Sequence, residues 1–223
     1  MPKKQFDVIT IFPDLIDSYV NESILGRAQK KKLILIKAHD LRKWTTDKHK
    51  TVDDTPYGGG AGMVMKVEPF DFALQKVVSR KQKGKKTRVI MTSASGKLFT
   101  QKDAKRLAKY DQVIFLCGRY EGIDHRVEEH LVDESFSVGE YVLTGGELPA
   151  LSMIDAISRM VPGVIAKESL EMESHTHEGA LEHPQYTKPE VYKKWKVPPV
   201  LLSGDHKKIK EWREKESKKK TRS

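Results

Sequence analysis

Five short apolar runs, Phe6–Phe12, Leu33–Ala38, Arg88–Thr92, Gln112–Cys117 and Phe136–Val138, alternate with segments of helical periodicity. That alternation limits the chain to α/β layers, with the runs as strands and the periodic segments as helices. Helices are expected over Asp14–Lys30, Pro69–Lys81, Gln101–Lys109, His125–Leu131 and Leu148–Met160. Pro149 sits in the first turn of the last of these, and Pro162-Gly163 stops it. A final helix is expected near His206–Lys218, with Gly204-Asp205 as its turn and N-cap. Between them, Val164–Pro184 is polar and aperiodic and reads as a linker. The stretch from Asp40 to Gly62 is too long for a plain connector, and loops of that length are usually functional or mobile. The basic run Arg80–Lys86 reads as an exposed loop.

A chain of 223 residues with 38% hydrophobic content can bury one core and carry a smaller appended unit. No apolar run approaches the roughly 18 residues of a membrane span, and the first residues show no signal-peptide pattern. The single cysteine, Cys117, makes no internal disulfide and no metal cluster, which fits a reducing, cytoplasmic setting. At the end of an apolar strand it reads as packing rather than as a nucleophile. The net charge is +10, and most of it lies late in the chain. Lys188–Ser223 holds 13 Lys and Arg against 5 Asp and Glu. Such a stripe is either the footprint of a polyanion partner or a solvated tail.

Three segments carry clustered glycine. Asp53-Asp54-Thr55-Pro56-Tyr57-Gly58-Gly59-Gly60-Ala61-Gly62-Met63 lacks the Gly-Lys-Ser/Thr ending of a phosphate loop and the strand-to-helix setting of a dinucleotide fingerprint; a tight turn is the plain reading. Leu116-Cys117-Gly118-Arg119-Tyr120-Glu121-Gly122-Ile123-Asp124 follows a strand and precedes a helix, so its backbone can approach a ligand closely. Glu121 is placed to accept bonds from ribose hydroxyls. The third segment, Ser137 to Pro149, again runs from strand to helix. Two such loops after neighbouring strands either form one pocket outside the strand ends or are ordinary turns.

The strings CGRYEGID and GEYVLTGGELPA, with DDTPYGGGAGM upstream and VLLSGDH downstream, closely resemble the tRNA (guanine-N1)-methyltransferase family, TrmD. The resemblance runs from FDVITIFP through PQYTKPE to LLSGDHKKIKEW, nearly the whole chain. It implies a SPOUT-type parallel sheet with a C-terminal trefoil knot, plus a small helical C-terminal domain. The division it implies is a donor-binding domain over 1–163, an interdomain linker over 164–186 and a basic tRNA-binding domain over 187–223. The implied donor is S-adenosylmethionine, with Mg2+ favouring transfer. The implied partners are tRNA carrying guanine 3′ of the anticodon and a second copy of the chain. The positions that match the family's donor site are Thr92, Ser93, Ala94, Gly118, Tyr120, Glu121 and Gly122, then Val138, Gly139, Glu140, Tyr141, Val142, Leu143, Gly145, Gly146 and Pro149. Ala94 stands where the family commonly has proline.

The chemistry of methylating guanine N1 asks for two side chains. N1 is protonated at neutral pH, so a general base helps, and charge growing toward O6 needs a cation. By resemblance, Arg159 is that cation. The base aligns to Glu173 through the neighbouring Ser174, with Glu178 as the alternative. On their own, Arg159 reads as a helix C-terminal residue favoured by the macrodipole, and Glu173 as a solvated linker charge. His175 and His177 lack a third ligand at useful spacing, so no metal site is expected. The polar stretch Ala166–Gly179 is expected to order only on binding RNA. A SPOUT enzyme with another target nucleotide, and an RNA-binding protein without catalysis, are the competing readings.

Overall fold

The computed structural model describes residues 4–78, 85–166 and 181–221. The chain divides into two compact units, Met1–Ile165 and Ala166–Ser223. The first unit opens with β1 (Lys4–Thr10), α1 (Pro13–Val20), α2 (Ser23–Lys30) and β2 (Ile34–Asp40). A small hairpin, β3 (Asp53–Asp54) with β4 (Val64–Met65), precedes α3 (Val67–Val77). Then come β5 (Thr87–Leu98), α4 (Gln101–Leu107), β6 (Gln112–Cys117), α5 (His125–Leu131), β7 (Glu134–Ser137) and α6 (Glu147–Arg159). The second unit contributes β8 (Val191–Tyr192), β9 (Trp195–Lys196), α7 (Pro199–Leu202) and α8 (His206–Thr221).

The main sheet has the order β2-β1-β6-β5-β7, and every pairing in it is parallel. β6 is central and buried at every position, Gln112 included, as a near-continuous apolar run is when helices cover both faces. Its side chains alternate between two cores. Val113, Phe115 and Cys117 join Phe6, Val8, Ile90 and Phe136 beneath α1, α2, α4 and α6. Ile114 and Leu116 join Ile9, Val89 and Met91 beneath α3 and α5. Each such side chain taken fully out of water contributes about 1.5–3 kcal/mol. Lys4 is buried at the sheet's other end, where its Nζ donates to the carbonyls of Leu107 at 2.5 Å and Tyr110 at 2.6 Å. Burial lowers its amine to about 7, against the opposing pull of Asp111.

Two expectations about the helices and strands are corrected. Asp14–Lys30 is two helices rather than one, because the chain turns at Asn21-Glu22. A Cβ at Gly26 would stand 2.2 Å from the Asn21 carbonyl oxygen, so the second helix packs against the end of the first only through glycine. The strand expected at Arg88–Thr92 continues to Leu98 after an interruption. Ile90, Met91 and Thr92 pair with Glu134, Ser135 and Phe136, then Lys97 and Leu98 pair with Phe136 and Ser137. Residues 93–96 are thereby pushed out of the ladder as a bulge. The long stretch from Asp40 to Gly62, expected to be more than a plain connector, holds a 3-10 turn at Leu41–Trp44 and the first strand of the β3–β4 hairpin. Most of the expected linker, with Glu173, His175, His177 and Glu178, and most of the Arg80–Lys86 loop lie outside the described residues.

Candidate donor pocket

The parallel strands β5, β6 and β7 deliver three loops to one edge of the sheet: the bulge at 93–96, the turn at 118–124 and the long loop at 138–146. Together they enclose a cavity of about 420 Å³, within the range of small-molecule sites. Thr92, Ser93 and Ala94 line it from the first strand; Gly118, Tyr120, Glu121 and Gly122 line it from the second. Val138, Tyr141, Leu143, Gly145, Gly146 and Pro149 complete the wall from the third. Gly139, Glu140 and Val142, also expected there, are outside the lining. A Cβ on Gly139 would meet the Tyr141 ring instead, and Val142 is 85% exposed.

The glycines at 145 and 146 are there because the loops touch. A Cβ on Gly146 would stand 2.0 Å from Thr92 Oγ1 and 2.9 Å from the Cys117 Cα. One on Gly145 would stand 2.3 Å from Arg119 Nε. The close approach is sealed by the Gly146 amide, which donates to the Gly118 carbonyl at 2.9 Å. The β3–β4 hairpin braces the middle loop from outside. Met65 N donates to Gly122 O at 2.9 Å, Glu121 N to Met63 O at 3.0 Å, and Asp124 N to Met65 O at 2.9 Å. The first glycine segment is thus the long tip of a hairpin, residues 55–63, rather than a tight turn, with Gly62 pressed against the Glu121 side chain.

Sequence reasoning missed the charged clamp behind this wall. Glu147, at the first position of α6, is 1% exposed. Its Oε1 accepts from Thr10 Oγ1 at 2.6 Å and its Oε2 from Arg119 Nε at 2.9 Å. The Arg119 guanidinium lies 4.6 Å from the centre of the Phe12 ring, and Nη1 donates to Thr144 O at 3.3 Å. One arginine therefore ties the second loop, the third loop and the end of β1 together. Arg119 and Glu147 both fall inside the quoted strings, but Glu121, Asp124 and Glu140 stand there too, so charge alone did not single the pair out. Cys117, beside them, is fully buried, and desolvation followed by the nearby Glu147 charge pushes its thiol well up. It is packing, not a nucleophile.

The cavity's chemistry is mixed. Ile123, Phe136, Val138, Leu143 and Pro149 offer an apolar wall, while Glu121 and Glu128 face it with carboxylates. A flat heteroaromatic ring with a polyhydroxyl group suits such a lining. Arg159 is not part of it. This residue ends α6 and lines a separate hollow with Tyr19, Leu148, Leu151, Ser152, Asp155 and Ala156, where Tyr19 Oη donates to Asp155 at 3.0 Å. Among the described residues no three His, Cys, Asp or Glu side chains gather as a metal cage, and no helix is long and apolar enough to cross a membrane.

The family model for tRNA (guanine-1)-methyltransferase TrmD matches residues 4–223. A tRNA (guanine-N(1)-)-methyltransferase of Thermomicrobium roseum is 54% identical over 209 residues, covering 94% of this chain and 77% of the relative. That of Ruminiclostridium cellulolyticum is 49% identical over 219 residues, covering 98% of this chain and 93% of the relative. That of Bacillus pumilus is 46% identical over 217 residues, covering 97% and 88%. With a parallel α/β sheet, a glycine-walled pocket at its strand ends and a match over nearly its full length, the chain belongs to the tRNA (guanine-1)-methyltransferase family TrmD.

Proposed function

We propose that the chain methylates N1 of guanosine 37 in tRNA, next to the anticodon, with S-adenosylmethionine as the donor. The observation that carries this reading is the pocket of about 420 Å³ whose walls approach so closely that a Cβ at Gly145 or Gly146 would fill contacts already taken. The residues fit such a donor: the apolar side accepts an adenine ring, Glu121 and Glu128 accept from hydroxyl or ammonium groups, and loop amides and carbonyls supply the rest. When bound, S-adenosylmethionine supplies an electrophilic methyl group, so the protein's task is alignment and activation of the acceptor. Thr92, Ser93, Ala94, Gly118, Tyr120, Gly122, Val138, Tyr141, Leu143 and Pro149 hold it in place.

Glu173 takes the N1 proton, and Arg159 stabilises the charge that grows on O6. Arg159 does not line the donor pocket of its own chain, which supports a homodimer in which the two copies complete each other's sites. The exposure of Tyr19 and Leu148, at 50% and 65%, around the hollow that holds Arg159 supports the same arrangement. The fold is read as SPOUT-type with a trefoil knot in which the third loop is locked to the second, and the Gly146–Gly118 bond supports that locking. The division into donor domain 1–163, linker 164–186 and RNA domain 187–223 is supported by the break between compact units at Ile165 and Ala166 and by the late basic stripe. Mg2+ belongs to the expected reaction mixture, with no ligand set assigned to it, and the setting is cytoplasmic.

The test is transfer of labelled methyl to unmodified tRNA transcripts that differ only in guanine or adenine 3′ of the anticodon. Transfer to the guanine transcript alone, mapped to N1, is the expected result. Transfer to both would mean another target nucleotide, and transfer to neither an RNA-binding protein without this activity.

A further inference from the structure

In the second unit, β8 and β9 pair as an antiparallel hairpin, with Val191 opposite Lys196 and Tyr192 opposite Trp195. Lys193 and Lys194 form the two-residue turn, Lys193 at a φ of +57°. Every residue from 185 through 196 is exposed. Tyr192 and Trp195 are 54% and 68% exposed, with ring centres 5.7 Å apart. The Lys193 ammonium lies 5.5 Å from the Tyr192 ring and 5.8 Å from the Trp195 ring. By contrast, Trp212 is engaged inside the unit, 6.3 Å from both His183 and Tyr186.

A two-stranded hairpin exposed along its length is marginal in water, and two adjacent large rings, each more than half exposed, call for an occupant. The occupant must present flat π faces and negative charge, because the segment Lys188–Lys196 carries four lysines against Glu190 alone. Unpaired nucleotides offer both: bases stack on aromatic rings, and their phosphates meet the lysines. The same hairpin of a second copy fits poorly, since it carries the same four lysines. We infer that the β8–β9 hairpin is a stacking platform for unpaired bases of the RNA substrate, with Tyr192 and Trp195 taking bases and Lys193, Lys194 and Lys196 taking phosphates. The inference rests on the tRNA reading above and adds a specific contact to it.

The experiment compares full-length wild type with Trp195→Ala, Tyr192→Ala, Trp195→Phe and the double variant Lys193→Ala, Lys194→Ala. Each is titrated with unmodified tRNA and with a fully paired RNA duplex of equal length, over a range of salt. Loss of one stacked base costs about tenfold in affinity. The two single alanine variants are therefore expected to lose about that for tRNA and nothing for the duplex. Trp195→Phe should retain most of the tRNA affinity, and the lysine double variant should weaken both RNAs and flatten the salt dependence. Wild-type tRNA affinity in Trp195→Ala would overturn the platform while leaving the methyltransferase reading intact. A wild type that binds no tRNA would overturn both. A Trp195→Ala variant that sediments as monomer where wild type is a dimer would show that a second copy covers the hairpin, which also overturns the inference.

Discussion

The pocket of the first unit and the hairpin of the second solve recognition in opposite ways. Around the pocket, backbone does the shaping, because the walls meet at glycine and are braced by Glu147, at 1% exposure. On the hairpin, the two rings are each more than half exposed and stand within 6 Å of each other and of the Lys193 ammonium. A small ligand of fixed shape rewards a rigid cavity whose geometry is settled before it arrives. A long, flexible polyanion rewards exposed groups whose contacts are individually weak and salt-sensitive. The contrast makes substitutions in the first unit steep and specific, and those on the second shallow and additive.

The largest effect should come from Gly146→Ala. The added methyl must displace Thr92 and the Cys117 backbone, and a shift of about 1 Å in an aligned site costs about 100-fold in rate. Steady-state kinetics should show kcat/KM for the donor falling by about that factor or more while tRNA affinity holds. Next is the clamp. Glu147→Ala leaves Arg119 without its buried partner and should destabilise the fold by about 3–5 kcal/mol, read from urea unfolding. Glu147→Gln, whose single amide oxygen can still accept from Arg119 while its NH2 donates to the Thr10 hydroxyl, should cost less and chiefly raise the KM for the donor. If Glu147→Ala left both stability and donor KM unchanged, the rigidity assigned to the pocket would have another source.

A smaller effect tests the sheet's far end. The Lys4 amine sits at about 7 in the fold and near its ordinary 10.5 when unfolded. Between those values the unfolded chain holds a proton that the folded chain has shed, so stability rises as pH climbs through that window and the contribution is flat below it. Wild type should gain a few kcal/mol over the window relative to Lys4→Met, measured by denaturant unfolding at fixed pH. An identical slope in both would mean the buried amine keeps its proton. The smallest effect is expected at Tyr57, which is fully exposed on the hairpin tip. Tyr57→Ala should change stability by less than about 0.5 kcal/mol, checked by thermal unfolding.

The sheet was readable because its strands carry apolar runs spaced by helical periods; β6 and α5 fall where periodicity puts them, at Gln112–Cys117 and His125–Leu131. The break at Asn21-Glu22 was not, because the reason for it is a contact between Gly26 and a carbonyl that only the folded chain brings together. Likewise the bulge at 93–96 depends on Phe136 pairing with both Thr92 and Lys97, a tertiary fact with no local signature. The pocket positions were legible through the resemblance rather than through glycine spacing, which fits turns as well as sites. The Arg119–Glu147–Thr10 clamp joins residues up to 137 positions apart, and no one-dimensional pattern marks such a pair.

The most direct measurement is a calorimetric titration of S-adenosylhomocysteine, the demethylated donor, into wild type, Gly146→Ala and Trp195→Ala. The backbone-walled pocket predicts saturable binding to wild type, unchanged binding to Trp195→Ala and none detectable to Gly146→Ala. Wild-type affinity in Gly146→Ala would contradict the placement of the donor between the three loops, whatever the RNA measurements show.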